Sequence, residues 1–438
     1  MRRVPCRRDL AAALGALCLS IGLAGAVAGD GLRPYRAVLD NGLVLLFRPN
    51  PSALTLAVCC FTKASARVET RDTAGLRNLA QQALLEVTDA SHRTLERRAA
   101  AQGLRITQQV SADYLETVFL ATGDQLPDAL GFARELFTAP AVEPTRLGIR
   151  RAQALRQVAA RRELAEVVAL DVATERLYRG TSCAWPPVGT AAVATLNAEQ
   201  VRAFWRMRVV PNNAVVAISG PVTWEQCQGA ARRAFGDLLP RPVAPEPNLS
   251  VSAPSPALVY QAWIGGSAAV ALAAVCPGPG SEGFPAAAVL NAVLAGGEGS
   301  RLFTALRVDR GWTYSVSSEL VPSQLCGLMA ATVTCEPAQA IDVFRAMQDE
   351  VGRLQTQPPT AAEVDRAKAY LVSSYVLGCQ RNAEIAHYMG LFEVLSPGDH
   401  DGDLPRMIAG VTPEQVAQAV RWLAQRTVWV QVGGNRPQ

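Results

Sequence analysis

A run of prolines splits this chain into two stretches that repeat one order of elements, and that repetition limits the fold more than any other feature. Leu239-Pro240-Arg241-Pro242-Val243-Ala244-Pro245-Glu246-Pro247, followed by Pro254 and Pro256, cannot hold regular structure, because each proline fixes φ and lacks a donor N–H. On one side Gly103-Leu104-Arg105-Ile106-Thr107 opens a strand, Leu115 to Ala121 makes the next, and Leu126 to Phe137 has a helical pattern. Glu143-Pro144-Thr145 breaks that helix and another runs from about Arg146. On the other side Gly311-Trp312-Thr313-Tyr314-Ser315-Val316 opens a strand, Gly327 to Thr334 makes the next, and Pro337 to Leu354 is helical. Pro358-Pro359-Thr360 then breaks it before a helix from Ala361. Gly103 and Gly311 set the offset at 208 residues, which is the length of a duplicated domain and far beyond a solenoid unit. Strands grouped between helices predict an α+β protein of two homologous domains, each a mostly antiparallel sheet covered by helices. The expected boundaries are 29–239 and 257–438, with the linker over 240–256.

Composition narrows the function classes. The chain has 438 residues, of which 49% are hydrophobic and 18% charged, with a formal net charge of +4. Those values suit a well-buried globular protein, and the scattered arginines form no basic stripe with interleaved aromatics, so nucleic acid is not an expected partner. Arg2, Arg3, Arg7 and Arg8 precede the apolar run Leu10 to Val27, and Ala26-Val27-Ala28 supplies the small residues of a cleavage site. A signal peptide over 1–28 is expected, with an uncleaved anchor as the alternative, and export to the periplasm or the medium follows. No later stretch is long and apolar enough to span a membrane, so no membrane contact is expected after signal removal. Eight of the ten cysteines lie beyond Cys6 and Cys18, and none has the paired spacing of a zinc ribbon or a redox motif. They read as small buried apolar residues, with one or two disulfides possible in an oxidising compartment.

Two segments carry the chemistry. The first, Thr73-Ala74-Gly75-Leu76-Arg77-Asn78-Leu79-Ala80-Gln81-Gln82-Ala83-Leu84-Leu85, has helical periodicity and follows the strand Leu54 to Thr62. It resembles the zinc helix of insulinase-type (mitochondrial-processing-peptidase-like) metallopeptidases, Gly-Leu-x-His-x-x-Glu-His. There, two histidines four apart bind zinc on one helix face and the glutamate activates the metal-bound water. The matching positions here are Asn78, Gln81 and Gln82. The resemblance places a further carboxylate ligand around residues 150–160, where Arg150-Arg151-Ala152-Gln153-Ala154-Leu155-Arg156-Gln157-Val158-Ala159-Ala160 offers none. The histidines point the same way. Only His92, His387 and His400 occur, and no two are four apart. No metal is expected on this chain.

The second segment runs from Leu294-Ala295-Gly296-Gly297-Glu298-Gly299-Ser300-Arg301-Leu302-Phe303 to Tyr314-Ser315-Val316-Ser317-Ser318. Ser300 is an expected N-cap, Leu302, Phe303 and Leu306 line one helix face, and Gly311 stops the helix before a strand. A helix followed by a reversing strand would bring Arg301 and Tyr314 together beside a loop of Gly296, Gly297 and Gly299, where backbone can approach closely. This segment resembles the second domain of the same family, Gly-Gly-x-x-Ser-Arg-Leu-Phe followed by Arg-x-x-x-Gly-x-x-Tyr-Ser-Val. The resemblance implies an arginine and a tyrosine that position substrate, read here as Arg301 and Tyr314. Weaker features, Asp40-Asn41-Gly42-Leu43 and the turn Val210-Pro211-Asn212-Asn213, extend the likeness over most of the chain.

The resemblance implies a non-catalytic, substrate-positioning subunit of a heterodimeric zinc metalloprotease, forming half of a clamshell around an extended peptide. Zinc would then sit on a paralogous partner with an intact His-x-x-Glu-His helix. A structural or assembly subunit, or a peptide-binding protein without proteolysis, are the alternatives.

Overall fold

The computed structural model describes residues 34–138, 143–248, 257–324, 327–397 and 404–436. The expected signal segment, His400 and Cys326 lie outside the described residues. The first half is built from β1 (Tyr35–Val38), β2 (Val44–Pro49), β3 (Thr55–Lys63), α1 (Leu76–Leu84), α2 (Leu95–Ala101), β4 (Arg105–Val110) and β5 (Tyr114–Thr122). It continues through α3 (Leu126–Glu135), α4 (Pro144–Ala160), α5 (Ala165–Leu177), α6 (Ala198–Arg208), β6 (Ala214–Gly220) and α7 (Trp224–Phe235). The second half contains β7 (Ala257–Gln261), β8 (Ala268–Val275), α8 (Gly283–Ala295), α9 (Arg301–Phe303), β9 (Thr313–Val321) and β10 (Leu328–Cys335). It ends with α10 (Ala340–Thr356), α11 (Ala361–Gly378), α12 (Asn382–Leu395), α13 (Leu404–Ala409), α14 (Pro413–Ala424) and β11 (Val428–Val432). Among the described residues no helix is long and apolar enough to cross a membrane.

The expected duplication is visible in the sheets. The first runs β1-β2-β6-β3-β5-β4 and the second β7-β11-β8-β10-β9. Without β1 the two orders correspond strand for strand, and each has one parallel pair, β2 with β6 and β7 with β11, in an otherwise antiparallel sheet. Burial on both faces explains why β3, β6 and β8 are nearly continuous apolar runs. Cys59 and Cys60 face opposite sides of the first sheet, Cys60 in the core shared with α1, α3 and α7 and Cys59 beneath α12.

The halves exchange covering helices, which periodicity does not reveal. Helix α5 belongs to the first half but packs on the second sheet, laying Ala165, Ala169, Ala173 and Leu177 against Ala269, Ala271, Ala273, Val428 and Val430. Four residues per step puts small side chains along one stripe, so the helix sits close to the strands. Conversely, α12 of the second half covers the first sheet, with Ile385, Ala386 and Met389 against Val44, Leu46, Ala57, Cys59, Phe61 and Val215. A fork of two hydrogen bonds from Arg36 to Glu393, at 2.9 and 3.1 Å, anchors that helix at its other end.

At Gly390 a Cβ would come within 2.0 Å of the fully buried Phe61 ring. Alanine is the better helix former by about 1 kcal/mol, yet overpacking a rigid core costs about 1–3 kcal/mol. Gly390→Ala is therefore expected to lower stability in urea unfolding. A gain would mean that α12 does not seat on β3.

The described part of the linker is strapped to the first half. The Asn212 side chain accepts from Arg241 N at 3.1 Å and donates to Arg241 O at 2.8 Å, and Arg208 donates to Ala244 O at 2.9 Å. The Glu246 carboxylate takes Ser65 N at 2.8 Å, Ser65 Oγ at 2.5 Å and Arg67 at 2.8 Å.

Candidate functional site

The start of α1 is fixed before any site residue is reached. Gly75 has φ of 104°, a left-handed conformation glycine adopts without strain, and a Cβ there would lie 2.5 Å from Val193. The Glu69 carboxylate accepts from Gly75 N at 3.1 Å and Arg77 N at 2.8 Å, covering the exposed donors of the first turn. Buried Arg77 pairs with that carboxylate and donates to the carbonyls of Ala64 and Ser111. The helix therefore holds a defined rotation.

That rotation directs Asn78 and Gln82 toward α4 and Gln81 into the first sheet. Asn78 Nδ2 donates to Val188 O at 3.1 Å. Gln82 Nε2 donates to Asn78 Oδ1 and to Gln157 Oε1, both at 3.1 Å. Gln157 on α4, 75 residues from Gln82, thus fills the fourth position that the sequence located only to residues 150–160. Gln81 Nε2 donates to Glu116 O at 2.5 Å and is 2% exposed, so it faces strand backbone and not solvent.

The convergence of a metal site is present with the wrong donors. Zinc takes imidazole, thiolate or carboxylate, whereas these positions carry neutral amides whose N–H groups are committed to carbonyl oxygens. Among the described residues, no group of three or more His, Cys, Asp or Glu is placed to hold a metal ion. The residues here do not fit zinc.

His387 is a packing residue between α12 and β5. Its Nδ1 lies 2.8 Å from Glu116 Oε2, and the Gln109 side chain donates to the same carboxylate oxygen. Burial works against its protonation, but Glu116 wins and holds its pKa above the ordinary value. Among the described residues six cysteines, Cys59, Cys60, Cys227, Cys276, Cys335 and Cys379, are free, while Cys183 is disulfide-bonded.

In the second half, the glycine loop is pressed onto α11. Gly297 has φ of 76°, and a Cβ there would meet the Tyr370 ring at 3.0 Å. A Cβ on Gly299 would meet Arg366 Nε at 2.9 Å, and one on Gly296 would meet Ala292 Cα at 2.6 Å. The loop is glycine-rich because it touches its own fold. Ser300 opens α9, but its buried hydroxyl makes no hydrogen bond, so the expected side-chain cap is not formed.

Arg301 does not meet Tyr314. Its guanidinium forks onto Glu363 at 2.7 and 3.1 Å and reaches Gln357 O at 3.3 Å, tying the loop to the start of α11. The hydrogen bond from Arg301, with those from Thr360, pulls the Glu363 carboxyl down to about 2. A depressed carboxylate stabilises the fold above its unfolded pKa and loses that contribution as pH falls toward the folded value. The Glu363 carboxyl is expected to titrate near 2 by NMR, and Arg301→Ala should return its midpoint toward 4.5. An unmoved midpoint would show that Arg301 is not the cause.

The arginine beside Tyr314 is Arg307. Its guanidinium carbon lies 4.3 Å from the Tyr314 ring centroid, a cation–π contact, and its Nη1 donates to Thr313 O at 3.1 Å. After Phe303 the helix widens into a π turn over Thr304–Val308, closed by Asp309 N to Thr304 O at 3.0 Å. The insertion rotates Arg307 toward the strand that follows. Thr313 Oγ1 donates to Thr334 O at 2.7 Å and pins the entry to β9, whose edge position leaves Tyr314 87% exposed. The spacing Arg307-x-x-x-Gly311-x-x-Tyr314 carried this signal, since its own arginine is Arg307.

Comparison with known proteins bears on the fold. Residues 195–371 match the Peptidase M16 inactive domain, a stretch that includes the glycine loop, Arg307 and Tyr314 but not α1. An uncharacterized zinc protease of Mycobacterium bovis is 27% identical over 402 residues, covering 90% of this chain and 92% of that protein. Among solved structures, a peptidase M16 inactive domain from Pseudomonas fluorescens superposes with a TM-score of 0.82 at 20% identity, covering 92% of this chain and 98% of its own. A protease from Helicobacter pylori gives 0.84 at 15%, covering 92% and 99%. The matched inactive domain and a fold shared along most of its length make this chain similar to the M16, insulinase-like peptidases.

Proposed function

We propose that this chain is the substrate-positioning, non-catalytic subunit of a two-chain zinc metallopeptidase. The observation that carries the reading is an asymmetry. The zinc-helix positions are an amide cluster, while Tyr314 stays exposed on an edge strand with the half-buried Arg307 guanidinium of the preceding π turn over its ring. A paralogous partner with an intact His-x-x-Glu-His helix would supply the zinc, the water and the base. The two chains would close like a clamshell over an extended peptide, with domains 29–239 and 257–438 forming one shell. A guanidinium and a phenol at that closure suit a peptide carbonyl or the oxyanion that develops during amide hydrolysis. An unpaired strand edge suits the extended backbone beside it. In this reading residues 1–28 direct export and are removed.

The test is peptide hydrolysis by the mature chain, by its zinc-motif paralogue, and by the two mixed. Turnover in the mixture alone supports the reading. A stable mixed complex without turnover overturns it in favour of an assembly role. Zinc-dependent turnover by this chain alone also overturns it.

A further inference from the structure

A cavity of about 1080 Å³ opens beside the amide cluster. Val158, the residue after Gln157, lines it, and so does Gly189, packed so closely on Gly75 that a Cβ would come within 2.5 Å of the Gly75 Cα. Val168 and Val172 of α5 and Trp185 form an apolar wall from the first half, while Gln261 and Trp263 close it from the second. A ligand there would bridge the two halves. The volume lies at the upper end of small-molecule sites, enough for a few residues of peptide.

The charges around it are unevenly used. Arg161 is neutralised by Asp171 at 2.5 Å. Arg71, Arg162 and Arg179 also line the cavity, and no carboxylate, carbonyl or ring of the described protein engages their guanidiniums. Asp72 and Glu175 share the lining and are likewise unpaired. Three free forks therefore stand against two free carboxylates, in a concavity whose apolar walls strengthen the field. A guanidinium binds a carboxylate through two parallel N–H donors and loses little hydration in doing so.

We propose that this cavity captures a short acidic stretch of an extended peptide, its carboxylates on Arg71, Arg162 and Arg179 and its apolar side chains on Trp185 and Trp263. The inference rests on the reading that the chain handles peptides, but not on the zinc-bearing partner. Binding by this chain alone tests it.

The probe is a fluorescein-labelled Phe-Glu-Asp-Glu-Leu peptide followed by anisotropy, against the charge-reversed Phe-Lys-Arg-Lys-Leu. The acidic peptide is expected to bind at least about tenfold more tightly. Arg162→Glu with Arg179→Glu should weaken it by about tenfold or more, and Glu175→Gln should strengthen it about two- to threefold. All three side chains are exposed, so folding should be unaffected, with the melting temperature as the check. Equal or stronger binding of the basic peptide, or acidic binding that survives both arginine reversals, overturns the proposal. Acidic binding without turnover in the mixed assay would instead retain the cavity and sink the protease reading.

Discussion

Asn78→His, Gln82→His and Gln157→Glu, made together, are expected to give this chain a stoichiometric zinc site. The three native side chains already meet within hydrogen-bond distance, Gln82 at 3.1 Å from each of the other two. Backbone placement is the costly part of a metal site, and here α1 is held by Gly75, Glu69 and Arg77 and packs against α4. Exchanging three neutral amides for two imidazoles and a carboxylate restores the donor types zinc prefers. A gain of about a thousandfold in affinity, or about 4 kcal/mol, is the expected scale. Metal analysis after dialysis reads it directly, and thermal melting should rise with added zinc because the ion binds only the folded chain. A triple variant that folds yet retains no zinc would show that the helices no longer present these positions correctly. Gln81→Glu is a separate step, since Gln81 now donates to Glu116 O and a carboxylate there would face a carbonyl oxygen.

The second large effect belongs to Arg307 and Tyr314. In a mixture with the zinc-bearing partner, Arg307→Ala with Tyr314→Phe is expected to lower kcat at least about a hundredfold, the scale for removing a donor aimed at developing negative charge. Arg301→Ala should leave kcat nearly unchanged and cost stability, because its guanidinium serves Glu363 and Gln357 O. The contrast separates the two arginines. A loss of turnover from Arg301→Ala matching that of the double variant, without unfolding, would return the positioning role to Arg301. The stability of the pair variant itself should fall only modestly, since Tyr314 is exposed, a cation–π contact at a surface contributes about 0.5–1 kcal/mol, and the other loss is the hydrogen bond from Arg307 to Thr313 O.

The two arginines also show where sequence reasoning reaches its limit. Six residues apart, both lie within a motif whose likeness to a known family is close, and helix-and-strand geometry placed Arg301 near Tyr314. That geometry assumed an unbroken α-helix. A single π turn over Thr304–Val308 changes the rotation of everything after it, and no composition rule announces such a turn. Arg301 was captured meanwhile by Glu363, 62 residues away and outside the motif.

The sequence by itself determined the duplication, the α+β class and the absence of a histidine pair on one helix face. All of these depend on periodicity along the chain, which the covalent spacing of side chains on helices and strands sets without reference to the rest of the molecule. Tertiary structure alone decided that α5 and α12 are exchanged between the sheets, that Gln157 completes the amide cluster and that Arg307 faces Tyr314. Each joins residues whose separation along the chain carries no directional information, or crosses a local irregularity. Such contacts are settled by which apolar surfaces fit together, and the polar side chains take the partners that packing leaves within reach.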